Sequence, residues 1–248
     1  MYLDNESRRS IAGKIGDIFK DNFGSGPSAL QVTINGGYFF INIQNFLSPV
    51  EKELIGADKM EKVIKYRNII MEERVRNEIK DIVETHADIQ LKEIYYDWDL
   101  LNASGMLLGI MEQKGQKEGK LEIVKDKEVY NNLSQVNYWV TEENRNVQIY
   151  WLASHIILVK RENLLSGLEQ ELIQAGKDDD LSIVKRHCER KLIKEDAVSA
   201  KLNKQIKGIY FARNIKSNYG YMLVVLGEEK SQKFLQAVPE KSEVYWRF

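Results

Sequence analysis

The chain repeats itself. Leu47-Ser48-Pro49-Val50-Glu51-Lys52-Glu53-Leu54-Ile55 returns 118 positions later as Leu165-Ser166-Gly167-Leu168-Glu169-Gln170-Glu171-Leu172-Ile173, with six of nine residues identical. Further on, Lys92-Glu93-Ile94-Tyr95-Tyr96 matches Lys207-Gly208-Ile209-Tyr210-Phe211, and Gly105-Met106-Leu107-Leu108 matches Gly220-Tyr221-Met222-Leu223, now 115 positions apart. A net loss of three residues between the two offsets is what drift in surface-loop length produces. In a chain of 248 residues the repeat implies two modules, each of ordinary domain size. The first is expected over 1–115 and a diverged second over 116–228, with a C-terminal extension over 229–248 packing on one of them.

Composition narrows the class. The chain is 43% hydrophobic and 29% charged, as in ordinary globular proteins. Its longest apolar runs, such as Tyr221–Leu226, fall well short of the ~20 residues of a membrane span. The charged N-terminus lacks a signal-peptide core, and one cysteine excludes an internal disulfide and a cysteine-based zinc site, so a cytoplasmic location is expected. The halves differ in charge. Residues 1–115 carry 14 Lys/Arg against 18 Asp/Glu, a net of −4; residues 116–248 carry 22 against 19, a net of +3. That asymmetry favours docking of one module on the other and disfavours a nucleic-acid role.

Periodicity gives each module the order αββαββ. Ser7 to Asn22 places Ile11, Ile15, Ile18 and Phe19 on one helical face, ended by Gly24-Ser25-Gly26-Pro27. Two strands joined through Asn35-Gly36-Gly37 follow. Ser48-Pro49-Val50-Glu51 is a capping box opening a short helix, and Ser166 and Glu169 keep both box residues in the second copy. A long helix is expected over Asp58–His86, with Met60, Ile64, Met71, Val75, Ile79 and Ile82 inward, and two strands close the module. Gly115–Glu128 reads largely as linker. The second copy is expected to run through a weak helix (Glu122–Tyr138), two strands, helices near Gly167–Ala175 and Asp179–Lys204, and two strands. The fold class is therefore α+β: two tandem αββαββ modules, antiparallel sheets backed by helices, related by a pseudo-twofold axis.

No catalytic constellation emerges. His86, His155 and His187 are not paired at helical spacing, and no metal-ligand motif occurs, so no metal and no cofactor are expected. Gly24-Ser25-Gly26 follows a helix and precedes a strand, the reverse of a phosphate-binding turn. Asp97 and Asp99, two apart at a strand end, share a face and could hold a cation or act as an acid–base pair; a solvated turn is the simpler reading. Arg186, Arg190 and Lys194 recur every four residues on the second long helix, a row able to meet anionic lipid, RNA or an acidic partner, although charged helix faces are commonly just solvated.

Gly24-x-Gly26-Pro27, Ile34-Asn35-Gly36, Leu47-Ser48-Pro49-x-Glu51, Arg67 on the long helix and Asp97 after the penultimate strand together resemble the MpsC-like family over roughly residues 7 to 112. The resemblance implies a small cytoplasmic bacterial domain, associated by name with a sodium-translocating, membrane-potential-generating system whose integral components are also linked to inorganic-carbon uptake. It carries over no catalytic residue. Arg67 and Asp97 are the pattern positions without a structural explanation in the sequence, and with Asp99, Arg186, Arg190 and Lys194 they make up the candidate binding residues. The expectation is a non-enzymatic accessory protein, working through contacts with a membrane ion or inorganic-carbon transport system without inserting into the bilayer. Two alternatives stand beside it: a small-ligand module using the groove between the repeats, and an enzyme built on Asp97, Asp99 and Arg67. Self-association into a homo-oligomer stays open.

Overall fold

A computed structural model describes residues 3–112, 120–137, 147–214 and 217–229. Helix α1 (Asn5–Phe23) starts where Asp4 accepts the Ser7 N–H and stops at Gly24, whose φ of 74° only glycine adopts without strain. Strands β1 (Ala29–Asn35), β2 (Tyr38–Gln44), β3 (Leu91–Asp99) and β4 (Ser104–Met111) form an antiparallel sheet in the order β1-β2-β4-β3. Between β2 and β3 lie α2 (Pro49–Gly56), α3 (Met60–Ile70) and α4 (Arg76–Ala87). The second half supplies β5 (Glu122–Ile123), α5 (Lys127–Ser134), β6 (Val147–Ala153), β7 (Ile156–Glu162), α6 (Gly167–Gln174), α7 (Asp178–Leu192), α8 (Glu195–Leu202), β8 (Lys204–Asn214) and β9 (Tyr219–Glu229). Its sheet runs β5-β6-β7-β9-β8, the same order with one short strand added at the edge.

The register repeats as well as the order. Ile41 pairs with Leu107 and Tyr96 with Leu107 in the first sheet; Val159 with Met222 and Phe211 with Met222 stand at the equivalent positions in the second. Alternation along the strands then sorts side chains into layers. Phe39, Ile41 and Ile43 face α1 and the long helix, within a core that holds Ile11, Ile15, Phe19, Val75 and Ile79. Ile157 and Val159 face α5 and α8 in a second core. The opposite faces meet each other, with Phe40, Met106 and Leu108 against Leu158, Tyr210 and Leu223. The molecule is thus four layers, helices–sheet–sheet–helices. Edge strand β3 lies along its counterpart β8, and β1 against β6, as a pseudo-twofold axis between the sheets requires.

Three expectations need correction. The long helix continues from Met60 to Ala87 but carries a π turn at Met71–Val75. Its buried row is Val63, Arg67, Met71, Val75, Ile79 and Val83, a strict spacing of four, rather than one including Met60, Ile64 and Ile82, which are only partly buried. A four-residue step advances about 40° per repeat on an α-helix; the wider π turn unwinds that drift and keeps the row inward. Glu122–Tyr138 is not one helix. Asp126 takes the Glu128 and Val129 N–H groups as N-cap, so the helix begins at Lys127, while Glu122–Ile123 pairs with the open edge of β6. The helix expected over Asp179–Lys204 breaks at Ile193, which is extended (φ −81°, ψ 117°). There Asn132 of α5 accepts the Lys194 N–H. The expected packing of the extension from residue 230 onward lies outside the described residues.

Candidate functional site

Arg67, like Asp97, is fully buried, and its position follows from the capping box. Glu51, the third residue of α2, folds back to accept the Ser48 N–H at 2.8 Å. Its carboxylate is thereby aimed at the long helix, where Arg67 donates from Nε to Oε1 at 2.6 Å and from Nη2 to Oε2 at 2.8 Å. The guanidinium lies over Phe46 and Phe23, 4.2 and 4.4 Å from their ring centres, and is closed off from solvent. Burial lowers its pKa and the Glu51 carboxylate opposes that shift. The second module repeats the device: Ser166 and Glu169 form the same box, and Lys185 reaches Glu169 at 2.5 Å. In both copies the acid and base are 16 residues apart, a matched spacing that could have identified the pair from sequence.

A second buried charge cluster has no counterpart in the first module. Arg161 donates to Glu189 at 3.0 Å, and Arg213 pairs with the other Glu189 oxygen. Both guanidiniums approach Phe211, at 5.7 and 5.5 Å from its ring centre. Burial pushes the Glu189 carboxyl up, but the two arginines outweigh it and hold the pKa below the ordinary value. The equivalent first-module positions are Ile43, Met71 and Trp98, all buried and apolar.

Four of the candidate residues converge where the modules meet. Asp97 and Asp99 do share a face of β3, and they point at α7. Arg186 meets Asp97 at 2.9 Å, and Arg190 meets Asp99 at 3.5 Å. Asp97 also accepts the Phe211 N–H of β8 at 2.8 Å, covering a backbone donor on that edge strand. Asp99 takes the backbone and side-chain N–H groups of Asn102, and Arg190 donates to the Ile209 carbonyl at 2.6 Å. The acids belong to the acidic module and the bases to the basic one. Lys194 stands apart: the break at Ile193 removes it from the row, and its side chain is exposed.

Beside this seam the modules part to leave a polar groove, two adjoining hollows of about 400 and 730 Å³ that share Asn42, Gln44, Lys207 and Val225. The larger hollow has Gln31, Asn42 and Gln44 of the first module opposite His155, Lys204 and Lys207 of the second; the smaller adds Asn102 and Ser104 on one wall, Arg190 on the other, and the carboxylates of Asp99 and Glu195. At the twofold-related end the space is filled. The Tyr95 and Tyr219 hydroxyls lie 3.2 Å apart, and both donate to Glu93, Tyr219 at 2.6 Å. Burial pushes the Tyr95 hydroxyl up, reinforced by Glu93; burial also raises Glu93, but the hydrogen bonds it accepts bring its pKa below normal. The open end has the same contact made by the equivalent positions: Tyr210 donates to Ser104 at 2.9 Å. There a serine replaces Tyr219 and Gly208 replaces Glu93, which is why that end stays open.

Of the histidines, His86 is exposed at a helix end, His187 is exposed on α7, and His155 lines the groove. Among the described residues no group of three or more His, Cys, Asp or Glu could hold a metal ion, and no helix is long and apolar enough to cross a membrane. Residues 4–113, from the start of α1 to just past β4, match the family described as Na+-translocating membrane potential-generating system (MpsC). No curated protein and no solved structure matches the chain.

Proposed function

We propose that this chain, whose first module matches the MpsC family, is a non-enzymatic accessory component that works through protein contacts with a membrane ion or inorganic-carbon transport system, on the cytoplasmic side. The family's description supplies the link to a membrane-potential-generating system. The observation that carries the mode of action is a pair of apolar helix faces at equivalent places in the two modules. Val50 on α2 is 69% exposed and Leu168, its counterpart on α6, is 73% exposed. One turn on, Leu54 is half-buried and Leu172 exposed. Nearby in sequence, Tyr66 on α3 and Val184 on α7, again equivalent positions, are exposed. Scattered surface apolar residues are ordinary, but the same positions kept apolar and uncovered in both copies are what a partner-binding surface requires.

The charged residues that could have served chemistry are engaged elsewhere. Arg67 holds α2 to the long helix, and Asp97, Asp99, Arg186 and Arg190 join the modules. A photo-crosslinking residue placed at Val50 or Leu168 tests the reading in native membranes. Adducts with an integral transport subunit, abolished by Val50→Glu with Leu168→Glu, are expected. Adducts only with the chain itself, or none, would overturn it.

A further inference from the structure

The open end of the groove shows what the closed end lost. The twofold relation puts Gly208 where Glu93 stands and Ser104 where Tyr219 stands, so two groups that fill one end are absent from the other. Gly208 also keeps the opening clear locally: a Cβ there would come within 2.5 Å of the Tyr210 hydroxyl, displacing it from Ser104. The opening is lined by charged and amide groups set beside Val225 and Leu226. Lys204 and Lys207 place two ammonium groups on one wall, their described contacts being the Ser154 carbonyl at 2.9 Å and the Gln205 side-chain oxygen at 2.8 Å. Neither meets a carboxylate among the described side chains. The same hollow is lined by His155, whose Nε2 is buried without a hydrogen-bond partner. Burial and the nearby Lys204 charge lower its pKa, disfavouring the imidazolium.

The facing wall has a different chemistry. Asn42 follows Phe40 on the sheet–sheet face of β2, and at 4% exposure its amide is a polar group set into the rim of an apolar layer. It makes no hydrogen bond to another described residue, and it lines both hollows. Gln31 and Gln44 extend that amide surface along β1 and β2. Two ammoniums and an imidazole opposite three amides define a ligand with an oxyanion at one end and neutral hydrogen-bonding groups at the other. The hollows are of the size that small-molecule sites occupy.

We propose that the open end of the inter-module groove binds a small oxyanion-bearing polar metabolite, its phosphate or carboxylate held by Lys204, Lys207 and His155 and its hydroxyl or amide groups by Gln31, Asn42 and Gln44. The site is independent of the helix faces assigned to partner contacts. Either can fail without the other, because Val50→Glu with Leu168→Glu leaves the groove untouched.

His155 is the reporter. An oxyanion seated beside it stabilises the imidazolium and raises its pKa, which proton–carbon NMR of the full chain reads directly, with His86 and His187 as internal controls. The probes are inorganic phosphate, ribose 5-phosphate, citrate and ribose. Ribose 5-phosphate is expected to raise the His155 pKa and to bind about tenfold more tightly than inorganic phosphate, while ribose alone leaves His155 unmoved. Saturation by citrate in place of the phosphates assigns a carboxylate ligand to the same site. Lys204→Ala with Lys207→Ala should weaken the response about tenfold or more in a chain whose circular dichroism and unfolding midpoint are retained, and Asn42→Ala should remove the advantage of ribose 5-phosphate over phosphate. No His155 response to any anion at millimolar concentration overturns the proposal. So does an equal response in the double lysine variant, or one shared by His86 and His187.

Discussion

At the scale of single residues, the same acid–base pair does one job in two environments. Glu51 and Arg67 are 5% and 0% exposed; Glu169 and Lys185 are 18% and 7%. Removing one member of a fully buried pair strands the other charge, at a cost of roughly 3–5 kcal/mol. Glu51→Ala should therefore lower stability by about that amount, and Glu169→Ala by a smaller amount, about 1–3 kcal/mol, because Lys185 can recruit water. Urea unfolding of the two variants measures the difference; equal losses would show that the aromatic seat of Arg67 contributes nothing. Arg67 was visible as an unexplained charge on an apolar helix face; the spacing of 16 residues shared with Glu169 and Lys185 was the one mark of its partner, since a capping box already accounts for Glu51. Only the folded chain shows one carboxylate serving both.

At the scale of elements, the second module has exchanged an apolar cluster for a charged one. Ile43, Met71 and Trp98 in the first module correspond to Arg161, Glu189 and Arg213 in the second, on the equivalent strand, helix and strand. Replacing a buried ion cluster by well-packed apolar residues is commonly neutral or stabilising by about 1–4 kcal/mol, whereas breaking it costs about 3–5 kcal/mol. The triple variant R161I/E189M/R213W is thus expected to match or exceed the parent in thermal unfolding, and E189M alone to fall well below it. The cluster also has a pH signature. The folded pKa of Glu189 lies below its ordinary 4.5, so its stabilising contribution is complete above that value and is lost as pH falls through the folded one. The acid limb of the stability profile below about pH 4.5 should be shallower in the triple variant than in the parent. The helices show how such charges blur a sequence reading: with Arg67 in the row, a spacing of four residues looked like a different apolar stripe. The π turn that aligns it has no local sequence mark.

At the scale of the whole molecule, two near-equivalent modules are held by unequal contacts. The sheets share an apolar layer, while the ion pairs across the seam run one way, from Asp97 and Asp99 to Arg186 and Arg190. The equivalent positions are Ala212 and Asn214 on one side and Asn68 and Glu72 on the other, which carry no such complementarity of charge. A double-mutant cycle on Asp97→Ala and Arg186→Ala should give a coupling of about 1–3 kcal/mol, with earlier hydrogen exchange at the Phe211 amide in Asp97→Ala. Additive effects would show that the pair is incidental to docking. The same inequality opens the groove at one end and fills it with tyrosine at the other.

The repeat, the order of the first module's elements, the two capping boxes and the charge difference between halves were legible in the sequence, because each rests on neighbours a few residues apart or on a count. Those signals were enough for an α+β pair of modules with antiparallel sheets. Which charges meet could not be read that way. Asp97 and Arg186 are 89 positions apart, and Ser104 and Tyr210 are 106 apart; they are neighbours only because two sheets pack face to face about an axis that no local pattern encodes. The Ile193 break, which removes Lys194 from its expected row, likewise depends on Asn132 arriving from another helix. Local chemistry decided the parts, and long-range packing decided which of their surfaces became core, seam or open groove.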